Sequence, residues 1–133
     1  MAGIIIATHY TFAESLKETI FMIVGQKEKV TALTLLKSDT LETFTAKMKD
    51  AVEKNDDGKG VVIMADMFGG TPMNAAFSLY NADPKIKIIT GVNMPMVVEA
   101  MNHIEKSSAE ITEMIFSKKD RLIIDVKTMI GKR

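Results

Sequence analysis

The chain has 133 residues, 47% of them hydrophobic and only three proline, which suits one compact domain spanning 1–133 around a sizeable core. Lysine plus arginine equals aspartate plus glutamate at 17 each, so no global positive field calls for nucleic acid or an anionic lipid surface. The lack of cysteine removes disulfide scaffolds and thiolate chemistry, and no apolar run has the length of a membrane span or the flanks of a secretory signal, so a cytoplasmic location is expected.

In chain order, Gly3-Ile4-Ile5-Ile6-Ala7 reads as a buried strand running out into Thr8 and His9, and Thr11-Phe12-Ala13-Glu14 is a helix-start signal. The helix is expected from Phe12 to Val24, with Leu16, Ile20, Ile23 and Val24 inward and Gly25 as the stop. Val30 to Leu36 follows as a strand. Asp39 and Glu42 have capping-box spacing, and Leu41, Phe44, Met48, Ala51 and Val52 form a helical stripe that ends before the turn Asn55-Asp56-Asp57-Gly58. Val61 to Ala65 is a third strand and leads into Asp66. Thr71 has the chemistry of an N-cap and Pro72 suits the first helical position, predicting a helix to Tyr80. Ile86 to Thr90 is a fourth strand. Pro95 opens a helix to Ile104 with His103 on its surface, and Ser107 with Glu110 caps another that ends near Ser117. Arg121 to Val126 is a last strand candidate. Lys118, Lys119, Lys132 and Arg133 form a small basic cluster, read as solvated surface.

This order predicts a three-layer α/β domain: a mainly parallel central sheet, helices on both faces, and an antiparallel C-terminal edge strand paired to its own or another subunit. Ligands of such sheets bind beyond the carboxyl ends of the strands, so the loops beginning at Thr8, Asp66 and Gly91 should meet at one site.

His9 then stands at a helix N-terminus, where open N–H groups and the helix dipole favour an anion, phosphate above all. If the first and third strands are neighbours, Asp66 reaches His9. A carboxylate accepting from Nδ1–H leaves Nε2 as nucleophile and stabilises the positive ring that phosphorylation creates. Donors to phosphate oxygens are available from Thr11, from the N–H groups of Gly69 and Gly70, and from the Thr71 hydroxyl. No metal or resident cofactor is needed, only a transient phosphohistidine. Each residue also has a plainer reading: His9 as a buried structural histidine, Asp66 as a turn cap, Gly69-Gly70 as backbone hinges, Thr71 as a helix cap. Of the eleven methionines, Met48, Met64 and Met101 suit the core, whereas Phe68 and Met94 suit a surface where partners dock.

Ala7-Thr8-His9, Phe12-Ala13-Glu14-Ser15-Leu16, Asp66-Met67-Phe68-Gly69-Gly70-Thr71-Pro72-Met73-Asn74-Ala75-Ala76 and Gly91-Val92-Asn93-Met94-Pro95-Met96 together resemble the IIA component of mannose-family sugar phosphotransferase systems. The resemblance spans nearly the whole chain. It implies a phosphocarrier in which His9 accepts a phosphoryl group from phosphorylated HPr and passes it to the IIB component, which feeds a membrane permease. It also implies a homodimer. Apart from the resemblance, Thr8, Tyr10, Phe68, Asn93, Met94 and Pro95 are read as pocket wall or partner surface, with Asn93 and Pro95 structural first in shaping a loop wall near His9. Many relatives have glycine where Tyr10 stands, and no linker to a IIB domain follows within the 133 residues, so a separate IIB polypeptide is expected.

Two other readings stay open: the phosphotransfer component of a dihydroxyacetone kinase system, and a non-catalytic regulatory module on the same fold. A histidine phosphatase lacks its Arg-His-Gly signature here, a receiver domain lacks its magnesium-binding acids, and neither Gly-rich nucleotide motif is present.

Overall fold

The computed structural model describes residues 1–131, so Lys132 and Arg133 of the basic cluster lie outside the described residues. Its elements are β1 (Gly3–His9), α1 (Phe12–Val24), β2 (Val30–Leu35), α2 (Leu41–Asn55), β3 (Val61–Ala65), α3 (Thr71–Tyr80), β4 (Ile86–Thr90), α4 (Met94–Asn102), α5 (Ser108–Ser117) and α6 (Val126–Gly131). The four strands form one sheet in the order β2-β1-β3-β4, every pair parallel.

Strand order dictates where the helices go. The step from β1 to β2 runs one way across the sheet, and the steps from β2 to β3 to β4 run the other, so right-handed crossovers place α1 on one face and α2 and α3 on the opposite face. The packing agrees. Ile4, Ile6, Val62, Met64 and Ile89 meet α1, α4 and α5 in one core layer, while Ile5, Ala7, Val61, Ile63 and Ile86 meet α2 and α3 in the other. Burial on both faces is why β1 and β3 are continuous apolar runs rather than alternating ones. The point where the chain reverses direction lies between β1 and β3, the place where such sheets open a crevice.

The expected elements recur with several corrections. In α1 the inward face is Ala13, Leu16 and Ile20, with Phe21 packed against the same core; Ile23 and Val24 are exposed. The capping box of α2 is Thr40 with Thr43, one residue beyond the expected pair, and Asp39 instead pins the preceding turn. Leu41 on that stripe is exposed, whereas Phe44, Met48, Ala51 and Val52 are buried. Helix α4 starts at Met94 and stops at Asn102, where His103 forms its C-cap, half-buried, with Nδ1 3.1 Å from the Glu99 carbonyl. The Ser107–Glu110 capping box of α5 is present as expected.

The largest correction is at the C-terminus, where residues 121–126 form no strand and the antiparallel edge is absent. The turn Lys119–Arg121 takes the first part of the segment, Leu122 folds back on the core, and Asp125 accepts from the Thr128 hydroxyl at 2.8 Å to start α6. Local capping chemistry thus overrides the β-branched run. It leaves Ile123 82% exposed, with Val126 and Ile130 also in solvent. Among the described residues, no helix is long and apolar enough to cross a membrane.

Candidate functional site

His9 is the last residue of β1, and Asp66 is the first residue after β3, the adjacent strand. Parallel pairing therefore delivers the two side chains to the same sheet edge. Asp66 Oδ2 accepts twice from His9, from the backbone N–H at 3.0 Å and from the ring at Nδ1, 2.8 Å away. Its other oxygen, Oδ1, accepts from the Met67 N–H at 3.0 Å. Three donors on one carboxylate hold it in place, and the ring with it. The imidazole is 47% exposed and the carboxylate 14%.

These contacts settle the charge of Asp66. Partial burial raises its pKa, but the His9 backbone N–H, the ring hydrogen bond and the attraction of the ring charge outweigh it, and the carboxyl lies below its ordinary value of 3.8. At neutral pH it is a carboxylate and can only accept, so Nδ1 is the donor, and in the neutral ring the lone pair is on Nε2.

Nε2 looks toward the start of α3. A methyl group at Gly70 would stand 3.0 Å from His9 Cε1 and 3.6 Å from Nε2, so only glycine lets backbone come this close to the ring. Gly70, not Thr71, is the N-cap of α3, and Thr71 is the first helical residue with its hydroxyl free of any capping bond. Pro72 has no N–H, so the open donors of this first turn are the N–H groups of Thr71 and Met73, with the helix dipole behind them. Gly69 adopts φ 83°, and its N–H meets only the weak acceptor Met73 Sδ at 3.3 Å.

The β1–α1 loop corrects a second cap. Thr11 occupies the N-cap position of α1 but makes no side-chain cap; the Thr8 hydroxyl, fully buried, accepts from the Ala13 N–H at 2.7 Å in its place. Thr8 thereby ties the end of β1 to the start of α1 and leaves the Thr11 side chain exposed. Tyr10 takes φ 53°, a left-handed conformation that costs a non-glycine residue about 1–2 kcal/mol. Its N–H bonds to the Leu35 carbonyl at 3.0 Å, which holds the turn closed and sends the phenol into solvent.

A shallow depression of about 500 Å³ opens on the β2 side of the ring, lined by His9, Tyr10, Leu35, Leu36 and Lys37. Lys37 was not among the residues singled out from sequence. Its position carries meaning only once β2 is known to lie beside β1.

The β4–α4 loop is the least integrated of the predicted parts. Asn93 caps α4 by accepting from the Met96 N–H at 3.0 Å, Pro95 follows in its first turn, and half-buried Met94 packs on the core. Among the described residues no hydrogen bond joins these three to His9 or Asp66. Phe68, by contrast, is almost wholly exposed at the tip of the β3–α3 loop.

A family model described as the PTS system fructose IIA component matches residues 3–117. The fructose-specific EIIA component of the Bacillus subtilis (strain 168) PTS is 32% identical over 102 residues, covering 77% of this chain and 70% of that protein. The mannose-specific EIIAB component of Escherichia coli K12 is 36% identical over 99 residues, 74% of this chain but 31% of that longer protein. Among solved structures, the PTS IIA protein associated with the fucose utilization operon of Streptococcus pneumoniae has a TM-score of 0.80 at 27% identity, covering 98% of this chain and 99% of that one. A phosphotransferase system EIIA from Streptococcus agalactiae shares the fold, with a TM-score of 0.87 at 23% identity over 96% and 99% of the two chains. The family match takes in every loop of the site from Thr8 to Pro95, and the chain belongs to the mannose-type EIIA family of sugar phosphotransferase systems.

Proposed function

We propose that His9 is a phosphocarrier, loaded by phosphorylated HPr and unloaded by the IIB component of a sugar permease. The observation that carries this reading is the Nδ1–Asp66 bond of 2.8 Å, which leaves Nε2 as the free nucleophile against the N-terminus of α3. In the loading step the Nε2 lone pair forms a bond to phosphorus while the bond from phosphorus to the donor breaks, its electron pair leaving with the donor. The imidazole becomes positive, and Asp66 stabilises it through Nδ1–H. Unloading is the same exchange with a nucleophile of IIB.

Phosphoryl transfer asks mainly for position and charge, and the parts supply both. The N–H groups of Thr71 and Met73, with those of Gly69 and Gly70 after small loop adjustments, serve as donors to the phosphoryl oxygens, and the Thr71 and Thr11 hydroxyls are available to add to them. Exposed Tyr10, the residue after His9, is surface for two partners in turn. A cytoplasmic location belongs to the same reading.

So does a homodimer. β4 is an open sheet edge, and the groove beside it is lined by Phe68, Met73, Phe77, Tyr80, Ile88 and Phe116, apolar surface of the kind a second copy covers. Light scattering after size exclusion tests this, and a monomer at all concentrations contradicts it. Heteronuclear NMR of the protein loaded from phosphorylated HPr tests the carrier reading: phosphorus should couple to Nε2 of His9. Coupling to Nδ1, or to His103, would overturn it.

A further inference from the structure

The depression beside His9 has one basic residue in its lining that the phosphocarrier reading does not use. Lys37 lines it, and the β1–β2 register pairs His9 with Leu35, two residues before Lys37. Strand order puts Asp66 on the β3 side of His9 and Lys37 on the β2 side, so the acidic and the basic residue follow strands that flank β1 on opposite sides.

The turn carrying Lys37 is built to present it. Asp39 N–H donates to the Leu36 carbonyl at 3.0 Å, and Leu36 N–H donates back to Asp39 Oδ2 at 2.8 Å, which closes the turn with Lys37 and Ser38 at its tip. The Asp39 carboxylate, 6% exposed, has its other contacts filled by the Thr43 hydroxyl at 2.9 Å and the Lys47 ammonium at 2.9 Å. Lys47 first, and then Leu36 N–H and Thr43, hold that carboxyl below its ordinary range, and its charge is already paired with the Lys47 ammonium. Lys37 is exposed and joins no ion pair among the described residues.

Loading His9 adds roughly −1.5 to −2 of charge next to Asp66, which is itself negative. The half-charge at the α3 N-terminus and the positive ring offset only part of this. We propose that the Lys37 ammonium pairs with the phosphoryl oxygens on His9 and stabilises the loaded protein, a role that rests on the phosphocarrier reading. A lysine suits a group that arrives and leaves: its charge is a point on a flexible stem, and it grips less firmly than the forked guanidinium of arginine.

Phosphorus NMR of the loaded protein tests this. Wild type, Lys37→Gln and Lys37→Arg are loaded with phosphorylated HPr, or with phosphoramidate as a partner-free donor, and the phosphoryl signal is titrated with pH. Removing the ammonium should lower the second acid dissociation constant of the phosphoryl group about three- to tenfold, with Lys37→Arg close to wild type and the difference shrinking in about 1 M salt. Thermal stability should stay near wild type, since Lys37 is a surface residue. Equal titrations in all three loaded proteins would overturn the role of Lys37 and leave the carrier standing. Failure of wild-type His9 to take phosphate from either donor would overturn both.

Discussion

Replacing Asp66 by asparagine tests the tautomer that the whole site depends on. The carboxylate accepts from His9 N–H at 3.0 Å, from Nδ1 at 2.8 Å and from Met67 N–H at 3.0 Å, whereas an amide of the same shape has one acceptor oxygen and an NH₂. With the amide oxygen toward His9, the NH₂ faces the Met67 N–H, donor against donor. With the amide reversed, the NH₂ faces the His9 N–H and offers a hydrogen to Nδ1, which forces the proton of the ring onto Nε2. The first arrangement leaves a donor unpaired and costs about 1–3 kcal/mol, on the order of 5–10 °C in Tm for a domain of this size. The second removes the nucleophile, and the analogous change in a serine protease triad slows catalysis about 10⁴-fold through the wrong tautomer. Single-turnover phosphorylation by phosphorylated HPr should therefore slow by about 10³–10⁴-fold, and nitrogen NMR should show the proton moved to Nε2. A loss of less than about tenfold with the Nδ1–H tautomer retained would refute the reasoning.

Gly70→Ala keeps an allowed backbone, φ −76°, but brings a methyl within 3.0 Å of His9 Cε1; phosphorylation should fall about tenfold or more while Tm shifts by less than about 5 °C, and an unchanged rate would contradict the close approach. Tyr10→Gly relieves the left-handed strain, worth about 1–2 kcal/mol, against about 0.5–1 kcal/mol of added unfolded-chain entropy, so thermal unfolding should show an unchanged or slightly raised Tm rather than a loss. Because the folded pKa of Asp66 lies below 3.8, its contribution to stability is complete above the unfolded pKa and is lost as the pH falls through the folded value. Carbon NMR of its carboxyl should titrate below 3.8 in wild type and move upward in His9→Ala; a wild-type midpoint above 3.8 would reverse the sign.

How much of this was legible beforehand follows from how local each signal is. The apolar runs Gly3–Ala7 and Val61–Ala65 announce strands buried on both faces, and the Asp66–Asn74 motif carries its own turn and helix start, so His9 and Asp66 could be paired without coordinates. Caps were harder to place. Thr8 rather than Thr11 caps α1, through a contact five residues apart that short-range capping patterns do not encode. The 121–126 segment has the composition of a strand, yet Asp125 and Thr128 draw its second half into a helix start. Lys37 was invisible for a different reason: nothing in a solvated lysine after a strand marks it until the register sets that strand beside His9.

The central claim is that His9 carries phosphate, and intact-mass analysis after incubation with phosphoenolpyruvate, enzyme I and HPr tests it most directly. The account predicts one added, acid-labile phosphoryl group in the wild type and none in His9→Ala. Equal phosphorylation of the two proteins, or none in a folded wild type, would contradict it.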